Sequence, residues 1–178
     1  MFKLLKIVAK AGDVTTRYPF APFPVSPGFR GKPELDPVQC MACGACTIAC
    51  PANALTMETQ PESGQRTWAL DLGRCIFCGR CEENCPTHAI VLTPEFELAV
   101  ARKEDMMQRA SFRLQNCVSC NKPFAPEKEV AYVQALLQEA MPMDKYTLKR
   151  IESCPECKRR STLTRDAASL HLYEEARS

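Results

Sequence analysis

The same spacing of cysteines occurs twice in this chain and constrains its fold more than any other feature. Each copy reads C-x2-C-x2-C-x3-C-P, from Cys40 to Pro51 and again from Cys75 to Pro86. Every cysteine of the first copy has a counterpart 35 residues later in the chain. Repetition of this kind predicts two similar halves related by a pseudo-twofold axis.

This spacing is typical of cysteines that bind iron–sulfur clusters. Iron in such clusters prefers soft thiolate ligands, and two intervening residues let a tight loop present successive sulfurs to one cluster. Gly44 and Gly79 stand between the second and third cysteines, where a missing side chain lets the backbone turn close to the cluster. Disulfides are disfavoured between thiols so close in sequence, and a zinc site would not need the third and fourth cysteines.

Two 4Fe-4S clusters are therefore predicted, each with three ligands from one copy and a fourth from the other. This crossing belongs to the bacterial two-cluster ferredoxin run, in which the fourth cysteine ligates the other cluster. The first cluster is assigned to Cys40, Cys43, Cys46 and Cys85. The second is assigned to Cys50, Cys75, Cys78 and Cys81. The neighbouring apolar residues expected to screen the clusters from water, or to serve as ordinary core, are Met41, Ile48, Ile76 and Phe77.

The four remaining cysteines form two C-x2-C pairs, Cys117 with Cys120 and Cys154 with Cys157. The pairs flank residues 127–141, whose apolar side chains recur on one face and predict a helix. Two such pairs are typical of a closed tetrahedral zinc site, and a single iron, as in rubredoxin, uses the same four sulfurs. The sequence leaves zinc and iron open, and a pair of metal-free dithiols is the alternative.

Composition limits the classes of function. A chain of 178 residues allows one or two small domains, and all 12 cysteines fall into metal-binding spacings with none left over. The net charge of +2 gives no support for nucleic-acid binding, and the basic residues 158–160 are too few to change this. No apolar run approaches the ~20 residues of a spanning helix or forms the core of a signal peptide, so a cytoplasmic protein is expected.

The N-terminal part is expected to serve as a contact surface. In residues 1–11, Met1, Leu4, Leu5 and Val8 recur at helical spacing and leave the lysines largely on another face. Such an amphipathic helix suits packing on a partner subunit at the membrane edge or on an anionic membrane surface. Residues 18–37 are too rich in proline for a helix, and their aromatic rings indicate an extended arm that lies on another surface.

Regular structure is predicted for five short stretches around the cysteine motifs and for one longer one. Strands are expected at residues 55–59, 67–72 and 90–93, and short helices at residues 47–50 and 82–85. The polar segment 59–66 reads as a hairpin tip. A charged helix is expected over residues 99–114. Trp68 is expected in the core, and His88 is expected to have a surface or packing role.

The chain also resembles a known family, the 8Fe ferredoxin-type subunits of respiratory complex I and of its hydrogenase relatives. The resemblance is carried by the proline-rich arm, FRGKP at 29–33, CIFCGRCEENCP at 75–86 and EFELAV at 95–100. The four-cysteine tail departs from the complex I subunit and is similar to the branch found in formate hydrogenlyase and hydrogenase-4. The resemblance implies an electron-transfer subunit of a membrane-associated [NiFe] hydrogenase, with no catalytic site of its own.

The partners implied by this resemblance are the small, cluster-bearing and the large [NiFe] hydrogenase subunits, and an electron-input ferredoxin-like subunit linked to formate dehydrogenase. Membrane subunits would lie nearby, which implies a peripheral place on the cytoplasmic face of the inner membrane. The alternatives are a complex I-type quinone oxidoreductase subunit, a free soluble 8Fe ferredoxin, and a zinc-ribbon regulatory module with a redox sensor. A free shuttle would not need the aromatic arm or the amphipathic start.

The predicted fold class is α+β, built on a two-cluster bacterial ferredoxin-like core. Residues 1–37 are assigned to the amphipathic helix and the extended arm. Residues 38–95 are assigned to the double 4Fe-4S ferredoxin domain. Residues 96–178 are assigned to a helical linker and a C-terminal four-cysteine extension of zinc-ribbon or rubredoxin type.

Overall fold

A computed structural model describes residues 2–12 and 14–175, the last ten of them by backbone alone, and shows a mixed α/β fold. Met1, which the sequence places on the apolar face of the first helix, lies outside the described residues. The helices are α1 (Phe2–Ala11), α2 (Ala45–Ala49), α3 (Arg80–Glu83), α4 (Glu127–Ala140), α5 (Lys145–Ile151) and α6 (Pro155–Glu175), with a 3-10 turn at Lys103–Met106. The strands are β1 (Pro33–Leu35), β2 (Leu55–Gln60), β3 (Gln65–Asp71), β4 (Ile90–Leu92), β5 (Met107–Asn116) and β6 (Pro123–Pro126).

The larger sheet has four antiparallel strands in the order β2-β3-β5-β6. The hairpin of β2 and β3 pairs Leu55 with Leu70 and closes through a turn that contains Gly64 at φ +65°. This is the hairpin predicted around residues 59–66, and both of its strands lie where the sequence placed them. The third predicted strand is also confirmed, as β4.

The smaller sheet pairs β1 with β4 and attaches the end of the arm to the cysteine-rich region. The Gly31 N–H donates to the carbonyl of Thr93 at 2.9 Å, and the Lys32 N–H donates to the carbonyl of Glu95 at 2.8 Å. A Cβ atom at Gly31 would collide with both of these carbonyl oxygens, so the close approach requires glycine. An ion pair between Lys32 and Glu95, 2.8 Å long, closes the same junction.

The hydrophobic core lies between the sheets and the two cysteine loops. Alternate residues of β3 point into it, and Trp68 and Leu70 are 1% and 0% exposed. Leu55, Ile90 and Phe112 complete the cluster from three other strands. The prediction that Trp68 belongs to the core is therefore confirmed.

The predicted helix over residues 99–114 is wrong, because β5 occupies the second half of that stretch and a 3-10 turn precedes it. Phe112 and Leu114 are buried while Arg113 between them is exposed, which is the period of two of a half-buried strand. Pairing of β5 with β3, with Trp68 opposite Ala110, fixes this alternation. Within β5 the charged residues Arg109 and Arg113 are exposed, and the other charged residues of the stretch, 102–105, precede the strand.

The first helix and the arm expose most of their apolar side chains. Every described residue of α1 is exposed. Within the arm, Tyr18, Phe23 and Phe29 gather around Phe96, with ring centroids 5.7, 5.8 and 6.4 Å from it, while Phe20 is 96% exposed. None of the described helices is both long enough and apolar enough to cross a membrane.

Candidate metal centres

The eight cysteines of the doubled motif gather around two cavities, and each cavity combines both copies. The first cavity is lined by Cys40, Cys43, Cys46 and Cys85. The second is lined by Cys50, Cys75, Cys78 and Cys81. Each cavity therefore has three cysteines from one loop and the fourth cysteine of the other copy.

Each cysteine loop begins a short helix through a glycine in the left-handed region. Gly44 (φ +81°) precedes α2 and Gly79 (φ +79°) precedes α3. The helices therefore start two residues earlier than predicted, since both glycines act as N-caps. Ala42 and Phe77, two residues before these glycines, also have positive φ, at +59° and +53°. This left-handed backbone turns each loop around its cavity.

Backbone N–H groups point at sulfurs of both cavities. The N–H of Ala42 approaches Cys40 Sγ at 3.4 Å, and the N–H of Phe77 approaches Cys75 Sγ at the same distance. The N–H of Ala54 donates to Cys50 Sγ at 3.3 Å, and the N–H of Ala89 donates to Cys85 Sγ at 3.2 Å. Such donors stabilise thiolates that ligate metal.

The spacing of the sulfurs fits a cluster better than a single ion. Among the described residues, three or more potential ligand atoms come within single-ion distance of one another only at the C-terminal cysteines. Around each of the two cavities the sulfurs are farther apart, as a group larger than one ion requires. The donor set, the loop geometry and the N–H groups together fit 4Fe-4S clusters.

Apolar side chains close much of both cavities. Met41 is 9% exposed and lines the first cavity, and Phe77 lines the second. Ile76 also lines the second cavity, although it is largely exposed. Ile48 is 89% exposed and lines neither, so the expectation that it screens a cluster is wrong. His88 is exposed, in agreement with a surface role.

Burial opposes ionisation of several thiols of the doubled motif. It raises the pKa of Cys40, Cys46 and Cys75, and it raises the pKa of Cys81 to about 11. Burial also opposes ionisation of Cys85, but hydrogen bonds from Thr87, Ala89 and Ile90 outweigh it and lower that pKa. Binding of metal therefore has to displace protons from most of these thiols.

Several polar contacts around the cavities could not be found from the sequence. The Nε1–H of Trp68 is buried without a conventional hydrogen-bond partner, and the sulfur that it approaches is Cys46, where it offsets part of the rise that burial causes in the pKa. Arg66 donates to the carbonyl of Ala42 at 3.0 Å. Arg30 donates to the carbonyl of Cys78 at 2.8 Å. These contacts join residues far apart in sequence, and no spacing pattern indicates them.

The C-terminal cysteines form a third, separate group. The Sγ atoms of Cys117, Cys120, Cys154 and Cys157 all lie within 4.8 Å of one another. The distance from Cys120 Sγ to Cys154 Sγ is 3.8 Å. A metal–sulfur distance of about 2.3 Å in a tetrahedron places the sulfurs roughly 3.8 Å apart. The four sulfurs therefore fit a single tetrahedral ion.

Hydrogen bonds prepare one thiol of this group for metal. The N–H groups of Cys154 and Ser119 donate to Cys117 Sγ at 3.2 and 3.4 Å. Burial opposes ionisation of Cys117, but these donors outweigh it and lower its pKa to about 6. Hydrogen bonding to Cys154 raises the pKa of Cys157 to about 12. A thiolate at Cys117 beside a protonated Cys157 is a site that a cation would complete by displacing the proton of Cys157.

Comparison with known proteins agrees with this geometry. Residues 39–89 match the family described as a 4Fe-4S dicluster domain. Formate hydrogenlyase subunit 6 of Escherichia coli (strain K12) is 51% identical over 164 residues, which cover 92% of this chain and 91% of that protein. Among solved structures, a chain of the membrane-bound sulfane sulfur reductase, an archaeal respiratory membrane complex, aligns with a TM-score of 0.47 and 30% identity. That alignment covers 59% of this chain and 56% of the other.

Proposed function

This chain belongs to the family of formate hydrogenlyase subunit 6, and we propose that it is an electron-transfer subunit of a membrane-associated [NiFe] hydrogenase complex. The observation that carries the proposal is the grouping of eight cysteines around two cavities, four to each. When bound, two 4Fe-4S clusters at these positions supply one-electron redox chemistry. The chain holds the clusters, limits their contact with water and brings them close enough together to relay electrons.

The proposed ligands follow the crossed arrangement. Cys40, Cys43 and Cys46 hold the first cluster with Cys85, and Cys75, Cys78 and Cys81 hold the second with Cys50. The matched backbone supports a pseudo-twofold relation between the halves. Both loops place positive φ angles at equivalent positions, which are Ala42 and Phe77, Gly44 and Gly79, and Asn53 and His88.

We further propose that three parts of the chain have different roles. Residues 1–37 form the contact arm, residues 38–95 hold the clusters, and residues 96–178 form the four-cysteine extension, which binds one zinc or iron ion. Sheet pairing links the three parts, because β1 pairs with β4 and β5 pairs with β3. The extension is therefore proposed to stiffen the cluster region and to contribute to assembly of the complex.

The proposed partners are the small and large [NiFe] hydrogenase subunits, an electron-input ferredoxin-like subunit linked to formate dehydrogenase, and nearby membrane subunits. The proposed location is the cytoplasmic face of the inner membrane. The family supports this set, and so do two exposed apolar surfaces, the side chains of α1 and the rings around Phe96. A complex I-type subunit and a free soluble 8Fe ferredoxin are the alternatives, and neither accounts for both the arm and the four-cysteine extension.

The proposal is tested by counting metal and acid-labile sulfide in the isolated full-length chain under anaerobic conditions. We expect about eight iron and eight sulfide for two clusters, with one further zinc or iron for the third site. Gel filtration of an untagged lysate then separates a complex subunit from a free ferredoxin. Fewer than two clusters after reconstitution, or elution at the size of the monomer, would contradict the proposal.

A further inference from the structure

The two proposed clusters receive different side-chain hydrogen bonds. Backbone donors reach both clusters, since Ala42 and Ala89 point at sulfurs of the first cluster and Ala54 and Phe77 at sulfurs of the second. Side-chain donors, in contrast, reach only the first. In the part of the chain that the structure describes, no side chain donates to Cys50 or to the other three sulfurs of the second cluster.

The first side-chain donor is Trp68. Its Nε1–H is buried, and an indole nitrogen can only donate. A buried tryptophan N–H normally has an acceptor, and the group that it approaches here is the Cys46 sulfur. A Cys46 thiolate that ligates iron provides that acceptor. The position that corresponds to Cys46 in the second copy is Cys81, whose pKa of about 11 results from burial, with only backbone donors against it.

The second side-chain donor is Thr87. Its Oγ1 lies 3.7 Å from Cys85 Sγ, and it helps to lower the pKa of that thiol. A Cys85 thiolate bound to iron has no proton, so the hydroxyl must donate. The corresponding position beside Cys50 is Ala52, which has no polar side chain. At this position the two copies of the repeat therefore differ by one hydroxyl group, and the effect of that hydroxyl can be compared between the two clusters.

Fixed charges do not reverse this difference. Arg66 lies beside the first loop and Arg30 beside the second, and each has an acidic partner, Glu129 at 3.6 Å and Glu83 at 4.0 Å. Arg80 lines the second cavity, but the helix that carries it, α3, also carries Glu82 and Glu83. Lys128 is an additional cation close to the first cluster, where its charge offsets part of the rise that burial causes in the pKa of Cys40. Its positive charge acts in the same direction as the two donors.

We propose that Trp68 and Thr87 donate hydrogen bonds to the sulfurs of the first cluster and raise its reduction potential above that of the second. Hydrogen bonds to sulfur and nearby positive charge stabilise the reduced cluster, which carries one more negative charge. If the protein held a single electron, that electron would reside on the first cluster in preference to the second, and its transfer between the clusters would require no proton. The inference rests on the proposed function, because it requires both clusters.

The test is a redox titration of the reconstituted full-length chain, followed by electron paramagnetic resonance. Wild-type protein is expected to show two midpoint potentials. We expect Trp68→Phe and Thr87→Val, each of which removes one donor, to shift the higher midpoint downward and to leave the lower one in place. The matched control is Ala52→Thr, which adds a hydroxyl beside Cys50 and is expected to raise the lower midpoint.

Iron and sulfide are counted in every sample, so the two proposals can fail separately. Fewer than two clusters in the wild-type chain would overturn the proposed function. Two clusters with midpoints that do not respond to Thr87→Val, or a downward shift of the lower midpoint, would overturn only this inference. Should Trp68→Phe fail to hold its clusters, Thr87→Val decides the outcome, because Thr87 lies outside the core.

Discussion

Lys128 Nζ donates to the carbonyl oxygen of Pro37 at 2.6 Å and to that of Val38 at 3.0 Å. Lys128 belongs to the first turn of α4, and the two carbonyls lead into the first cysteine loop. Glu129, the next residue of α4, forms an ion pair with Arg66, 3.6 Å long. The start of one helix thereby ties the four-cysteine extension to the loop proposed to hold the first cluster.

Lys128→Met is expected to lower the free energy of unfolding by about 1 kcal/mol, since two hydrogen bonds from a solvent-exposed ammonium are lost. Chemical denaturation of the reconstituted chain measures this change. Lys145→Met removes an exposed lysine from the start of α5 and serves as the matched control, with no expected effect. Equal stability of the two variants would show that the Lys128 contacts contribute nothing.

The crossed ligand assignment predicts which variants lose the same cluster. Cys50→Ala is expected to leave the same residual paramagnetic signal and midpoint as Cys75→Ala, because both residues are assigned to the second cluster. Cys85→Ala is expected to match Cys40→Ala instead. If Cys50→Ala matched Cys40→Ala, each motif would hold its own cluster and the assignment would be wrong.

Gly31→Ala is expected to destabilise the junction between the arm and the cluster region. The new Cβ would meet the carbonyl oxygens of Glu95 and Thr93, and relief requires the backbone to move, at a cost of about 3 kcal/mol. Gly28→Ala is the control in the same arm. It has φ +76° but no atom within 4 Å of the added Cβ, so only backbone strain of about 1 kcal/mol is expected. Chemical denaturation compares the two variants, and equal losses would contradict the predicted clash.

The sequence predicted those features that repeat or that lie close together along the chain. The cysteine groups follow from local spacing, and β2, β3 and β4 follow from short apolar runs next to turn residues. The prediction of a helix over residues 99–114 is wrong because many charged residues suggest an exposed helix, whereas Phe112 and Leu114 alternate with Arg113 as in a strand. That alternation has meaning only once β3 is available as a partner.

The side-chain donors proposed for the cluster sulfurs could not be predicted from the sequence for a different physical reason. Trp68 approaches Cys46 across the core, through the register of a hairpin and the packing of a loop on it. No motif places an indole at that distance along the chain. Thr87, in contrast, differs from its counterpart Ala52 in the other copy, and this difference is visible in the sequence.

The four-cysteine extension is expected to hold its metal independently of the two clusters. Cys117 accepts two backbone hydrogen bonds and is buried, so its loss should abolish the third site. We expect Cys117→Ser to release one zinc or iron per chain while the chain keeps about eight iron and eight sulfide in its clusters. Cys120→Ser should have the same effect, because a closed tetrahedral site needs all four sulfurs.

Ser119→Ala leaves the backbone donor in place and is the matched control. Loss of cluster iron in Cys117→Ser would mean that the extension is required for the clusters to bind, and retention of the third metal would show that these sulfurs are not its ligands.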